Sequence, residues 1–274
     1  MRETFMSWYP PTDQERRRAY QDGVVVLDTN VLLSLYRFTS DARTELLRLL
    51  KKVSERLWLP HQVGLEFHRN RLSVIHDAAG EQERLRKELT DAQNRLRNAF
   101  QTAEKRIGLK GAPLAEALTK AFNLLDQEIA ALTSRSDLTL SEAINNDPIL
   151  DALTALYHHR VGKPYEPERY ERECKVALQR IKDQIPPGYR DAKKDDPTGE
   201  YLIWRQTLDQ AAERKQGVLF VTQDRKPDWY RQEHGLNVGP RPELIEEMHR
   251  EAGVRLHLVF AKYIPEPGPN LPWR

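Results

Sequence analysis

This chain of 274 residues predicts an α/β fold, a parallel sheet carrying an all-helical insertion, on three observations. Short apolar runs, VVVL at Val24–Leu27 and GVLFVT at Gly217–Thr222, lie towards the two ends of the chain. Helix-period segments alternate with them, the pattern of parallel strands joined by right-handed crossovers. The long middle of the chain carries helical spacing alone.

The elements follow in order. Thr12-x-x-Glu15 is a capping box that opens a short helix running to about Tyr20. Asp22-Gly23 ends it, and the β-branched run Val24–Leu27 reads as a buried strand. From Ser40, residues Leu46, Leu47, Leu49, Leu50 and Val53 keep helical spacing up to a second short strand, Arg56–Pro60. Pro60 also suits a first helical turn, and the chain is helical from Gln62.

Leu85, Leu89, Ala92, Leu96, Ala99 and Ala103 recur at intervals of four and three; Gly108, Gly111 and Pro113 interrupt. Leu114, Leu118, Ala121, Leu125 and Leu132 then resume the spacing, which describes an antiparallel, coiled-coil-like hairpin with Arg- and Glu-rich flanks. Residues 77–185 are expected to be the helical insertion, this hairpin plus further helices, within a sheet domain formed by residues 1–76 and 186–274. Ile185–Gly199 is a loop by its proline and glycine. A helix over Glu200–Arg214, the strand Gly217–Thr222, a helix over Pro242–Ala252 and a strand over Val254–Phe260 follow. The proline-rich tail Ile264–Arg274 continues neither kind of element.

Composition excludes more than it selects. A net charge of +2 argues neither for nor against nucleic acid, so only the distribution of charge is informative. One cysteine, Cys174, rules out an internal disulfide and a Cys-based zinc site and suits a reducing cytoplasm. The first twenty residues lack the apolar core of a signal peptide, and no run approaches the ~18 apolar residues of a membrane span, so a cytoplasmic protein is expected. The adjacent His158 and His159, and His68 beside Glu66, make no metal motif.

The acids carry the chemistry. Ligand sites of open parallel sheets form at the carboxyl ends of the strands. Asp28 directly follows the first strand, Asp224 follows the GVLFVT strand by two residues, Glu66 lies in the helix after the second strand, and Glu200 opens the helix that feeds the third. Taken singly, each fits an ordinary role: Asp28 a helix cap, Glu66 a surface partner for Arg69 or Arg71, Glu200 a helix-dipole residue, Asp224 a turn residue. Together they place four carboxylates at one sheet edge, where they would repel one another unless a cation held them. Oxygen-only ligands point to magnesium or manganese.

VVVLDTNVLLSLYR, LWLPHQVGLEFHRNRLSVI, IPPGYRDAKK…GEYLIWRQTL and VLFVTQDRKPDWY, in that order, resemble the PIN-like domain family, a branch of the PIN nucleases with a long helical insertion. The resemblance covers roughly residues 5–75 and 185–260. It implies a three-layer α/β/α sandwich around the parallel sheet and a carboxylate site for Mg2+ or Mn2+, with Asp28, Glu66, Glu200 and Asp224 as first to fourth acid. The third block departs from the family's Gly-Asp: Gly199-Glu200 moves the carboxylate outward by about one bond, with Asp191, Asp195 and Asp196 as nearby substitutes.

The implied reaction is phosphodiester hydrolysis, for which two metal ions ~3.5–4 Å apart would activate water and stabilise the leaving oxygen. Asp196 is a further candidate ligand, and Asn30, Thr222 and Asp228 are expected to orient ligands or water. Arg69, Arg71, Arg190, Lys193, Lys194, Arg225 and Lys226 are expected to grip phosphates, and Trp229 to stack an unpaired base or to pack in the core. By analogy the resemblance favours RNA over DNA and implies a toxin or defence role with a regulatory partner, or a homo-oligomer through the helical insertion. The alternative is a catalytically weakened PIN-like module that binds RNA or a partner. A haloacid-dehalogenase phosphatase is disfavoured, because Asn30 stands where its second Asp is needed, and P-loop and Rossmann glycine patterns are absent.

Overall fold

In the computed structural model, which describes residues 1–107, 111–133 and 138–261, the two most apolar runs become the centre of the sheet. β1 (Val24–Leu27) pairs in parallel with β2 (Leu57–Trp58) and with β3 (Val218–Thr222), in the register Val25↔Leu57 and Val25↔Leu219. β4 (Tyr230–Glu233) and β5 (Leu236–Pro240) form a separate antiparallel hairpin, and β6 (Leu256–Phe260) pairs in parallel with β3. The sheet order is β2-β1-β3-β6. Every residue of β1 and β3 is buried, so both faces need cover. Helices supply it, giving the α/β/α sandwich.

The second strand is shorter than the sequence suggested, and its edge is continued by a bridge from Leu59 to Val161. The hairpin was not anticipated. Its turn, His234-Gly235 with φ of 50° and 80°, suits a tight hairpin, but Arg231, Gln232 and Glu233 lack the apolar alternation that marks a strand.

The helices are α1 (Asp13–Asp22), α2 (Thr29–Ser34), α3 (Ser40–Lys52), α4 (His61–Ile107), α5 (Gly111–Thr133), α6 (Leu140–Asn145), α7 (Pro148–Leu156), α8 (Pro167–Lys182), α9 (Gly199–Arg214) and α10 (Pro242–Ala252). The Thr12–Glu15 capping box opens α1. α9 buries Leu202, Trp204 and Leu208, and α10 buries Leu244, Ile245 and Met248. Glu247 lies buried with them and is fully paired: Arg180 donates to both its oxygens at 2.6 and 2.8 Å, and Trp204 Nε1 donates at 2.7 Å. A buried charge is tolerated on those terms.

The chain divides into two compact units. One comprises Met1–Ser34, Leu46–Arg69 and Leu150–Arg274, the other Leu35–Glu45 and Asn70–Ile149. The first therefore includes residues 150–185, although their helical spacing continues that of the expected insertion. In the second unit Arg86 of α4 lies 3.5 Å from Asp126 of α5, an exposed ion pair that brings the two helices together at that point. Leu85, Leu96 and Leu125, expected to line that seam, stay 42–48% exposed. Gly108 and the Ile264–Arg274 tail lie outside the described residues. No described helix is long and apolar enough to cross a membrane.

Candidate active site

The Asp-Thr-Asn that interrupts the first apolar run is used residue by residue. The Asp28 N–H donates to the Val221 carbonyl at 2.9 Å, extending the β1–β3 ladder, and the Asp28 carbonyl accepts from Val31 as α2 begins. Asp28 Oδ2 accepts from Asn30 Nδ2 at 2.6 Å and from Thr222 Oγ1 at 2.7 Å. Asn30 in turn accepts the Gln223 N–H, and Thr222 accepts the Asp224 N–H at 2.9 Å, so the loop after β3 is tied to the end of β1. Thr29 Oγ1 donates to Glu66 Oε2 at 2.9 Å and Gln62 Nε2 to Glu66 Oε1 at 3.0 Å. Thr29 and Gln62 were not picked out from sequence, although Thr29 sits inside the motif.

Burial, with the nearby charges of Glu66 and Asp224, pushes the Asp28 carboxyl up to about 6, against the hydrogen bonds of Thr222 and Thr29. Glu66 is raised as well, by burial and by the charge of Asp196. These acids crowd one another.

A second group adjoins Asp224. Lys226 Nζ lies 2.9 Å from Asp191 Oδ1, 2.7 Å from Glu200 Oε1 and 2.9 Å from Asp224 Oδ2. Lys194 also pairs with Asp191 and reaches Glu200 Oε1 at 3.7 Å. Trp229 Nε1 donates to Glu200 Oε2 at 2.9 Å. Burial and contact with Asp191 push the Glu200 carboxyl well above the usual carboxylate range. Burial would raise Asp191 too, but its hydrogen bonds to Glu200, Lys194 and Lys226 hold it down at about 2. Asp191, weighed from sequence only as a substitute, is thus a full member of this group.

Two glycines make room for the acids. A Cβ on Gly199 would lie 2.4 Å from Glu66 Oε1, and one on Gly188, at φ +90°, would lie 3.2 Å from the Glu200 Cβ.

Several expected roles change. Trp229 is 2% exposed, stacked on Phe220 at 4.7 Å and edge-on to Trp204, so its ring is closed to an RNA base. Asp228 is fully buried; its Oδ2 accepts the N–H groups of Gly188 and Arg190 at 3.1 and 3.4 Å, holding the turn that presents Asp191. Arg71, in the other unit, donates to Asp147 at 2.7 Å, and Tyr36 donates to the same oxygen at 2.7 Å. That arginine is a structural partner and not a phosphate grip. Lys226 is likewise taken up by carboxylates. Asp196 caps Thr198 by accepting its N–H and hydroxyl and lies 3.9 Å from Arg69. Arg69, Arg190, Lys193, Lys194 and Arg225 are exposed.

The donor set consists of carboxylate oxygens, which suits a hard divalent cation. The crowding of Asp28 by Glu66 and Asp224 is the condition such a cation relieves. Among the described residues no three acidic, histidine or cysteine side chains close on a shared metal position, and the convergence of Asp191, Glu200 and Asp224 is filled by the Lys226 ammonium. The oxygen donors of Asp28, Glu66 and Asp224 thus suit a hard cation by chemical type, without closing on one shared position among the described residues.

No curated protein and no solved structure matches the chain. A family model described as a PIN-like domain matches residues 24–244, from the first residue of β1 into α10, and so takes in every acid of the site. The parallel β2-β1-β3-β6 sheet flanked by helices agrees with that match, and the chain belongs to the PIN-like domain family.

Proposed function

We propose that this chain is an endonuclease that hydrolyses phosphodiester bonds, in RNA rather than DNA, with Mg2+ or Mn2+ held by Asp28, Glu66 and Asp224. The observation that carries the reading is Asp28. It stands at the carboxyl end of a central strand, is crowded by two further acids and is anchored through one oxygen by Asn30 and Thr222. Keeping a carboxylate in such a place costs stability, which points to a use beyond the fold.

When bound, the cation would supply a Lewis acid for a phosphoryl oxygen and a water of lowered pKa. Asn30 and Thr222 hold Asp28 Oδ2 and thereby orient its other oxygen, and Thr29 and Gln62 hold the Glu66 carboxylate from both sides. The exposed Arg69, Arg190, Lys193 and Arg225 would hold the phosphates of a bound strand, while Lys194, like Lys226, is paired with Asp191. The preference for RNA rests on family analogy alone.

The test is incubation of the purified protein with single-stranded RNA, tRNA and single-stranded DNA, in Mn2+ or Mg2+, with and without EDTA, beside Asp28→Ala. Cleavage that needs both metal and Asp28 and leaves 5′-phosphates supports the reading. A second reading, an RNA-binding module that does not cut, is favoured by the Lys226 ammonium already seated among three carboxylates. An RNA gel shift without cleavage in the wild type, unchanged by Asp28→Ala, would select it.

A further inference from the structure

We infer that the Lys226 ammonium holds the place of a second cation, so that the site takes one divalent ion per chain, on the Asp28 side, instead of two. The inference rests on the nuclease reading above and concerns how many ions that site admits.

The acids are served unequally. Asp191, Glu200 and Asp224 come from three separate segments, the turn Tyr189–Asp191, the first turn of α9 and the loop after β3, and all three meet Lys226 Nζ at 2.7–2.9 Å. Those separations match charge-assisted N–H···O contacts and are too long for Mg–O bonds of about 2.0–2.1 Å. A metal ion at that point would have to expel the ammonium and draw three carboxylates inward.

The lysine is also fixed from behind. Its N–H donates to Asp224 Oδ1 at 2.9 Å, and its carbonyl accepts from Trp229 and Tyr230 at 3.1 and 3.0 Å. Trp229 occupies the other oxygen of Glu200, so the oxygen turned to Lys226 is held there, and Lys194 adds a second positive charge beside Asp191 and Glu200. Asp28 differs. The side chains that donate to it are neutral, Asn30 and Thr222, and among the described residues no lysine or arginine forms an ion pair with it. A dication entering this set of acids thus meets Asp191, Glu200 and Asp224 already facing an ammonium, and Asp28 facing neutral donors alone. The longer reach of Glu200 over an aspartate is what brings its carboxylate to both Lys226 and Trp229.

The experiment is a Mn2+ titration of metal-free protein, read by calorimetry and by the EPR signal of free Mn2+, on the wild type, Lys226→Gln, Lys226→Arg and Asp28→Asn. The inference expects one ion in the wild type and in Lys226→Arg, two in Lys226→Gln, and at least tenfold weaker binding in Asp28→Asn. Two ions in the wild type overturn it and leave the nuclease reading standing. One ion in a folded Lys226→Gln, with unchanged affinity, also overturns it. No binding by the wild type overturns both readings together. Should Lys226→Gln fail to fold, the lysine 15Nζ signals of the wild type decide. A Lys226 resonance, assigned by its absence in Lys226→Arg, that persists on Mg2+ saturation supports the inference, and its displacement into the free-lysine region overturns it.

Discussion

Gly199 and Glu66 stand so close that a methyl group on the glycine would lie 2.4 Å from Glu66 Oε1. The first residue of α9 and a carboxylate on α4 therefore share one small space, with Gln62 Nε2 donating into it at 3.0 Å. The glycine of the Gly-Glu pair serves the second acid as well as the turn that presents the third.

Gly199→Ala tests that relationship. At an ordinary backbone conformation Ala for Gly stabilises by about 0.4–1 kcal/mol. Here the Glu66 carboxylate must move, breaking its bonds to Thr29 and Gln62. We expect a net loss of about 1–2 kcal/mol in thermal unfolding and a Mn2+ affinity reduced about tenfold by calorimetry. A variant as stable as the wild type with unchanged affinity would show that the contact does not matter.

Asp28→Asn should stabilise the metal-free protein. Folding raises the Asp28 carboxyl from an ordinary 3.8 to about 6, mainly through burial, so between those values the folded chain keeps a proton that the unfolded chain releases. Its contribution to stability thus falls as pH climbs from about 4 to 6, and the penalty is complete above 6. Asn carries no such penalty. Melting curves at pH 7.5 in EDTA should favour Asp28→Asn by about 1–3 kcal/mol, with the advantage gone near pH 4. In saturating Mn2+ that advantage should shrink by at least about 1.4 kcal/mol, since the wild type binds the ion at least tenfold more tightly.

Glu200→Asp brings the third block back to the pattern typical of the family and should nonetheless harm this chain. The shorter side chain cannot hold Trp229 Nε1 and Lys226 Nζ together, contacts that stand at 2.9 and 2.7 Å. An unpaired buried indole N–H costs about 1–3 kcal/mol. We expect a lower melting temperature and a changed tryptophan emission; a melting curve superimposable on the wild type would refute the matching of Glu200 to its two donors.

Glu247→Gln is the control outside the site. It leaves the half-buried Arg180 without its carboxylate partner, and breaking such a pair costs up to about 3–5 kcal/mol. The unfolding midpoint in urea should drop sharply while Mn2+ stoichiometry stays that of the wild type. A changed stoichiometry would mean that the α9–α10 packing controls the site.

Much of the architecture was legible along the chain because its causes are local. VVVL and VLFVT announce buried strands by β-branching, the Thr12–Glu15 box announces α1, and the Pro242–Ala252 helix is bounded by its own proline and Gly253. The β4–β5 hairpin escaped because its residues are polar and its pairing is set by the His234-Gly235 turn. Among the site residues, Asp28 was readable as a charge breaking an apolar run. The burial of Trp229 was not readable, because an aromatic beside Asp and Lys suits either a core or a ligand face until Phe220 and Trp204 are seen against it.

The sequence by itself determined the order of the four parallel strands and the helices that flank them, the family, and which acids fall after which strands. Those properties depend on periodicity, propensity and neighbours within a few residues. Tertiary structure alone decided that Lys226 faces three carboxylates, that Asp191 joins them, that Arg71 is spent on Asp147 and that Gly199 yields its space to Glu66. Each of these is a meeting of side chains from distant segments, and the energy of a charge depends on what folding brings within a few ångströms of it, which no local pattern records.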